Sequence, residues 1–462
     1  MRDLILGNSS FTEDEKTKIL KYCQSDVDSL KSLFGRMQSQ ITPHSFLRAD
    51  YMKSLATMEH NGIPIDVELL TRLTSNWGVL KTSLINKVDA AYHVFDGMVF
   101  KYDKFVDYLS KNLIPWPALE SGHLQLDEDT FKMMSKIYPQ VHPLYELRRT
   151  LSQLRLNDLT VGSDGRNRCM LSAFSSITGR NQPSTSKFVY GLPSWLRSLI
   201  KPKPGTALAY IDWSQQEFGI AAALSRDEKM MKAYESGDPY LGFAKLVGAV
   251  PDTATKKSHP TERDRFKITT LAVQYCMTEK GLSVQQGISE TEAKHLLDLH
   301  RKCFPVFWRW SDAALDYAQL NGRIHTAFDW RLHVTEKSKP RSLRNFPAQG
   351  NGAELMRLAS IFGLRAGIKI CCPVHDAFLI EAPLADIDAA VATMQDCMAR
   401  ASEVILKGFR LSSEAKIIRY PDRYEDPRGV EMWRTVTTLL DEIEPLARMQ
   451  GDPLQPCESR SI

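Results

Sequence analysis

The spacing of hydrophobic and polar positions changes several times along the chain, and each change marks an element. Residues 12–37 read as a helix that opens on the capping sequence Thr12-Glu-Asp-Glu15. Asn61-Gly-Ile-Pro-Ile-Asp66 reads as a loop and cap before a long amphipathic helix from Val67 to about Val94. Residues 116–151 are mixed helix and loop. A strand pattern begins near Gly205, where the apolar run Ala207-Leu-Ala-Tyr-Ile211 ends at Asp212. Residues 228–247 read helical, and Pro260-Thr261 opens a further helix with Thr261 as its cap. Ser289-Glu-Thr-Glu292 opens another, which runs to the Phe304-Pro305 break. Turns at Asn321-Gly322 and Ala327-Phe-Asp-Trp330 flank strands. A helix beginning at Gln349 leads into residues 368–374 and 377–381, two short apolar strands joined by the tight turn His375-Asp376.

Composition narrows the class without naming it. At 462 residues the chain is too long for one core, and about two to four subdomains are expected. Hydrophobic residues at 43% and charged residues at 25% are those expected of an ordinary soluble globular protein. No stretch approaches the about 18 apolar residues of a membrane span, so no membrane partner is expected. The N-terminal Met1-Arg-Asp-Leu-Ile-Leu is too short an apolar region for a signal peptide. Eight scattered cysteines without metal spacing suggest reduced, buried, intracellular thiols, with Cys371 and Cys372 pointing to opposite faces of a strand. The net charge of +4 does not establish nucleic-acid binding, so Lys201-Pro-Lys203 and Lys337-Ser-Lys339-Pro-Arg341 would have to supply a basic track.

Three segments carry candidate chemistry. Asp212 and Asp376 each stand at the end of a buried strand, where one sheet edge can bring them together. Paired carboxylates there offer hard oxygen ligands to two Mg²⁺ ions roughly 3.5–4 Å apart. Between them, Arg263, Lys267, Leu271 and Tyr275 recur at steps of four on the predicted helix. Each step drifts only about 40°, so the four share a face. Two cations suit a triphosphate and the ring suits a stacked base.

These strings resemble motifs A, B and C of the family-A (polymerase-I-like) DNA polymerases. Asp212-Trp-Ser-Gln-Gln-Glu217 is similar to D-Y-S-Q-x-E. Arg263-x₃-Lys267-x₃-Leu271-x₃-Tyr275 is similar to R-x₃-K-x₃-F-x₃-Y-G, and Val374-His375-Asp376 to the start of V-H-D-E. Thr178-Gly179-Arg180 and Arg341-x₃-Asn345-x₃-Gln349-Gly350 match the family's T-G-R and R-x₃-N-x₃-Q-G. The resemblance implies a mixed α+β, multi-subdomain fold, a right-hand polymerase with a palm sheet, helical fingers and a helical thumb. It implies a template-directed DNA polymerase that takes dNTPs and primer–template DNA. Asp212, Asp376 and the backbone carbonyl of Trp213 would hold two Mg²⁺ ions, with Mn²⁺ able to substitute. Lys267 and Arg263 would neutralise the phosphates, Lys267 catalytically. Leu271, Tyr275, Glu217 and Tyr240 would line the dNTP site, and Arg180, Arg341, Asn345, Gln349 and His375 would contact DNA. The implied location is cytoplasmic, nucleoid-associated in a bacterium.

The implied domains are an exonuclease remnant at 1–40, connecting segment and thumb at 41–155, and palm at 156–230 and 336–447. Fingers fall at 231–335 and a C-terminal tail at 448–462. Tyr22-x₃-Asp26 resembles the last motif of the family's 3′–5′ exonuclease domain, and no Asp-x-Glu precedes it, so no proofreading activity is expected. The partners left open are a processivity factor and a separate exonuclease subunit docking on this segment. Several positions depart from the family pattern. Ala377 stands for the Glu of V-H-D-E, which removes a third carboxylate from that position. Leu271 stands for Phe, Cys276 for Gly, Gly219 for Arg, and Tyr240 for a His. Two other readings remain: a phage-type RNA polymerase, disfavoured by Glu217, and a catalytically weak or silent DNA-binding replisome component, disfavoured by the presence of both aspartates.

Overall fold

A computed structural model describes residues 1–449 except Ser9, Glu120 and residues 154–158; the expected tail from residue 450 onward lies outside the described residues. The chain divides into two compact units, Met1–Met52 and Lys53–Ile462. The first contains the helix Glu13–Met37. Thr12 caps it as expected: its hydroxyl accepts from the Glu15 amide at 3.3 Å, and the Glu15 carboxylate accepts from the Thr12 amide at 2.9 Å. Asp26 lies on this helix, which has no buried residue.

The second unit is built on a four-stranded antiparallel sheet. Its strands run in the order Ser413–Arg419, Thr206–Trp213, Ala377–Pro383, Lys369–Val374. In the central strand Thr206–Trp213, Ala207, Ala209, Ile211 and Trp213 are buried on one face, while Tyr210 and Asp212 on the other are only half-buried. That period of two is the strand's own. It packs one side into the core and leaves Asp212 half-buried at the strand's end. Helix Ile387–Ile405 packs across three of the strands and against helix Pro340–Arg365. The mixed α+β architecture expected from the motifs is the one observed.

Several predicted elements are broken where a local residue interrupts them. The long helix expected over 67–94 is two, Val67–Ser75 and Trp77–Asp89, separated at Asn76, whose amide group turns back to the Arg72 carbonyl at 2.8 Å. Asp66 does cap the first, accepting from the Leu69 amide. The stretch 228–247 is also two helices, Glu228–Glu235 and Pro239–Leu246, parted at Gly237, whose φ of +86° suits glycine. The helix with Arg263 runs Pro260–Gln274, but His259 rather than Thr261 stands at its cap position, with Pro260 as the first helical residue. The helix placed at Gln349 starts at Pro340 and runs to Arg365, so Arg341, Asn345 and Gln349 share one element. Helices Pro305–Asn321 and Val430–Met449 gave no reading in the sequence. Cys371 and Cys372 do not simply alternate: the pairing register shifts between Ile370 and Cys372, and both thiols are buried. Cys23 is exposed, against the expectation of buried thiols.

Candidate active site

The two aspartates meet at one end of the central strands. Asp212 is in register with Ala377, and the amide of Trp213 donates to the carbonyl of Asp376 at 3.3 Å. Val374 pairs with Ala377, which leaves His375-Asp376 as a two-residue hairpin loop, with His375 at φ +55°. Such loops favour positive φ because their twist matches that of the strands. The turn read from the sequence is therefore what aims Asp376 at Asp212.

Burial, and for Asp212 also the neighbouring Asp376 and Glu414, pushes both carboxyls above the ordinary carboxylate range. The Trp213 amide counteracts this at Asp212; Arg180, the Asp376 amide and His375 counteract it at Asp376. One oxygen of Asp212 is buried without a hydrogen-bond partner among the described residues. A buried orphan acceptor beside a second carboxylate fits a hard divalent cation, the ligand class Mg²⁺ prefers. Among the described residues no three His, Cys, Asp or Glu side chains converge on a metal position. A cation held here would draw on the two carboxylates together with backbone oxygens. Ala377 does leave its position empty of charge, but a carboxylate stands on the other side of Asp212: Glu414, exposed, is in register with it on strand Ser413–Arg419. Sequence reasoning missed Glu414 because only strand pairing brings it near.

A cavity of about 290 Å³ opens beside the pair, lined among others by Arg180, Glu217, Tyr240, Leu271, Tyr275 and Asp376. Gln215, in a left-handed conformation at φ +46°, turns the chain from the strand into helix Gln216–Ser225 and so carries Glu217 to the cavity. Glu217 is held from two sides. Its carboxylate accepts from the Tyr275 hydroxyl at 3.1 Å and from the Gln349 amide group. Tyr275 lies just past the end of the Pro260–Gln274 helix. Its hydroxyl pKa is pushed up to about 12 by burial and by the Glu217 charge.

The two expected phosphate cations differ. Lys267 is exposed. Arg263 is buried, with its guanidinium on Asp238 and its Cζ 5.5 Å from the Tyr240 ring. Asp238 also accepts from the Leu241 amide at 3.1 Å as a helix cap. Arg263 is therefore a fixed cation, and Asp238, which nothing in the sequence singled out, fixes it. Tyr240 is buried at the cavity wall, and Leu271 is half-buried there.

Arg180 reaches the site from a clamped loop. Gly179, at φ +76°, presents its carbonyl to Arg357, which donates at 2.6 Å. Arg357 is buried against Glu354 at 3.0 Å, and Glu354 accepts from Thr326 at 2.8 Å. Trp330 donates to the Ile177 carbonyl at 3.0 Å and stacks on Phe174 at 5.4 Å. Arg341 is exposed and Asn345 half-buried along the same helix as Arg357; His375 is exposed at the hairpin tip. Of these two groups, the structure brings Arg180, Gln349 and His375 to the aspartates' end of the sheet, while Arg341 and Asn345 lie further along the helix and do not line the cavity.

Comparison with known proteins bears on the family and the fold. The sequence profile of DNA polymerase family A matches residues 184–417. DNA polymerase I of Chloroflexus aurantiacus is 25% identical over 443 residues, covering 86% of this chain and 46% of that protein. The thermostable DNA polymerase I of Thermus caldophilus is 26% identical over 422 residues, covering 85% and 50%. The chain thus spans about half the length of these relatives. The POL domain of Pol1 from M. smegmatis, solved in complex with DNA primer-template and dNTP, superposes with a TM-score of 0.69 at 23% identity. It covers 85% of this chain and 73% of that one, and the likeness is one of fold. With the paired aspartates, the intervening cationic helix and the matching profile in view, the chain belongs to DNA polymerase family A.

Proposed function

We propose that the chain is a template-directed DNA polymerase that adds dNTPs to a primer 3′-OH by two-metal phosphoryl transfer. The observation that carries this reading is the pairing of Asp212 with Asp376, the latter lining a cavity together with Glu217, Tyr275 and Arg180. The complex seen for the M. smegmatis neighbour supports primer–template DNA and dNTP as the partners. Two Mg²⁺ ions, or Mn²⁺ in their place, held by Asp212, Asp376 and the Trp213 carbonyl would activate the primer hydroxyl and stabilise the leaving pyrophosphate. Lys267 brings a mobile charge to the triphosphate, and Arg263 a fixed one. Glu217, where the sugar would lie, leaves no room for a 2′-OH. Tyr275, hydrogen-bonded to Glu217, fills the place a template base would take, so it must move before a pair can form. Arg180, Arg341, Asn345, Gln349 and His375 serve the primer–template. The palm, fingers and thumb follow the boundaries given above.

Primer extension by the purified chain, with dNTPs and with NTPs, tests the reading. Extension with dNTPs alone is expected. Asp212→Ala and Asp376→Ala should each lose more than about 10–100-fold, since changes even one shell out from a metal cost that much. Glu217→Ala should admit NTPs. Preference for NTPs by the unaltered chain would favour an RNA polymerase, and no extension at all a silent DNA-binding component.

We further propose that the chain does not proofread by itself. Asp26 is one carboxylate on a helix with no buried residue, and two divalent ions need more oxygen ligands than it offers. That helix is also the place where a separate exonuclease subunit would dock. Shortening of a 3′-mismatched primer by the chain alone, abolished by Asp26→Ala, would overturn this.

A further inference from the structure

Gln216 and Gln274 stand on two different elements and face the same cavity. Gln216 opens the helix that follows the Asp212 strand, one residue before Glu217. Gln274 ends the helix that carries Arg263 and Lys267, one residue before Tyr275. Their side chains are buried, Gln216 at 1% exposure and Gln274 at 8%. Among the described residues, neither the amide nitrogen nor the amide oxygen of either has a hydrogen-bond partner.

Such an arrangement is costly. A buried amide left without a hydrogen-bond partner loses its hydration with nothing in return, whereas an apolar side chain of the same shape there would forfeit none of it. The Gln216 oxygen is also crowded: a Cβ added at Gly352 would meet it at 2.8 Å and the Arg180 guanidinium at 3.1 Å. Glycine at 352 thus lets the amide and the guanidinium lie against the helix together. Two costly amides, on separate elements and in one cavity beside Asp376, have a common explanation if the partner they lack is the ligand of that cavity.

We propose that Gln216 and Gln274 are nucleotide-contacting residues, each offering an amide donor and acceptor to the base or sugar edge of the nucleotide that the cavity takes. This rests on the polymerase reading of the site. Sites built to hydrogen-bond a substrate group discriminate against analogues that lack it, because the protein's own polar groups are then left unpaired. On this basis the two glutamines set nucleotide selectivity alongside Glu217.

The test uses Gln216→Met, Gln274→Met and the double variant, which keep length and remove the amide. Three quantities are measured: Tm, primer–template Kd, and KM for dNTP in extension. The expected result is a Tm equal to or above that of the unaltered chain, an unchanged Kd, and a KM raised about 10-fold per residue. A raised Tm with unchanged KM would overturn the proposal by making the amides mere structural defects. A lowered Tm would overturn it too, because the amides would then have partners within the protein. The rise in Tm that dNTP and Mg²⁺ produce without DNA gives an independent reading: it should shrink in all three variants. If the unaltered chain fails to extend primers, the polymerase reading falls, and this thermal shift alone decides whether the glutamines bind nucleotide.

Discussion

Gly219 shows how a single residue can depart from a family pattern for a packing reason. A Cβ there would meet Leu411 at 2.5 Å and the Tyr234 ring at 2.8 Å. The arginine usual in the motif has no room. The contact matters to the site because the Tyr234 hydroxyl donates to the Ser214 carbonyl at 2.9 Å and accepts from the Ser412 amide at 3.1 Å. These bonds tie the turn after Asp212 to the approach of the outer strand. Gly219→Ala is therefore expected to cost about 1–3 kcal/mol, as overpacking of a tight core does. Denaturant unfolding measures it; a change within about 0.5 kcal/mol would show that Tyr234 yields freely.

At the scale of the element, the Pro260–Gln274 helix presents its cations in two different states. Arg263 is held by Asp238 and Tyr240, while Lys267, one turn on, is exposed. Charge that grows on the phosphates in the transition state is met best by a cation that can approach it. Lys267→Ala should thus raise KM for dNTP and lower kcat, together about 10-fold or more in kcat/KM, with primer–template Kd unchanged. Weaker DNA binding with unaltered dNTP kinetics would assign the helix to the duplex. The spacing of four was legible in the sequence because a helix repeats nearly in step with it. The partnership of Arg263 with Asp238 was not, because the two belong to different helices that meet only on folding.

The whole molecule couples the carboxylate pair to stability. Asp212 and Asp376 have folded pKa values raised by burial, Asp212's also by its neighbours. Between the ordinary carboxylate pKa of about 4 and the raised values, the folded state therefore binds more protons than the unfolded one. Without divalent metal, stability contributed by the pair falls as pH rises through that window. Mg²⁺ held by the ionised pair, as proposed, would offset the loss, and at low pH it would first have to displace protons. The rise in Tm on adding Mg²⁺ should accordingly be larger at about pH 8 than at about pH 5.5, and should vanish in Asp212→Asn/Asp376→Asn. An equal rise at both pH values, or one that survives the substitutions, would place the metal elsewhere.

The sequence by itself determined the strand that ends at Asp212, the hairpin that carries Asp376, the helix with Lys267 and the Thr12 cap. Each is a local matter: period two, a two-residue turn, period four, and a side chain reaching its own backbone three residues on. Those motifs were enough to place the family. Tertiary structure alone decided what stands beside them. Glu414 comes to Asp212 by strand register across about two hundred residues of chain, Arg357 comes under Gly179 by helix packing, and Gln216 and Gln274 become costly only because the fold buries them. Local pattern fixes which way a residue faces. Which residues face each other, and how much water is left between them, depends on how the elements pack.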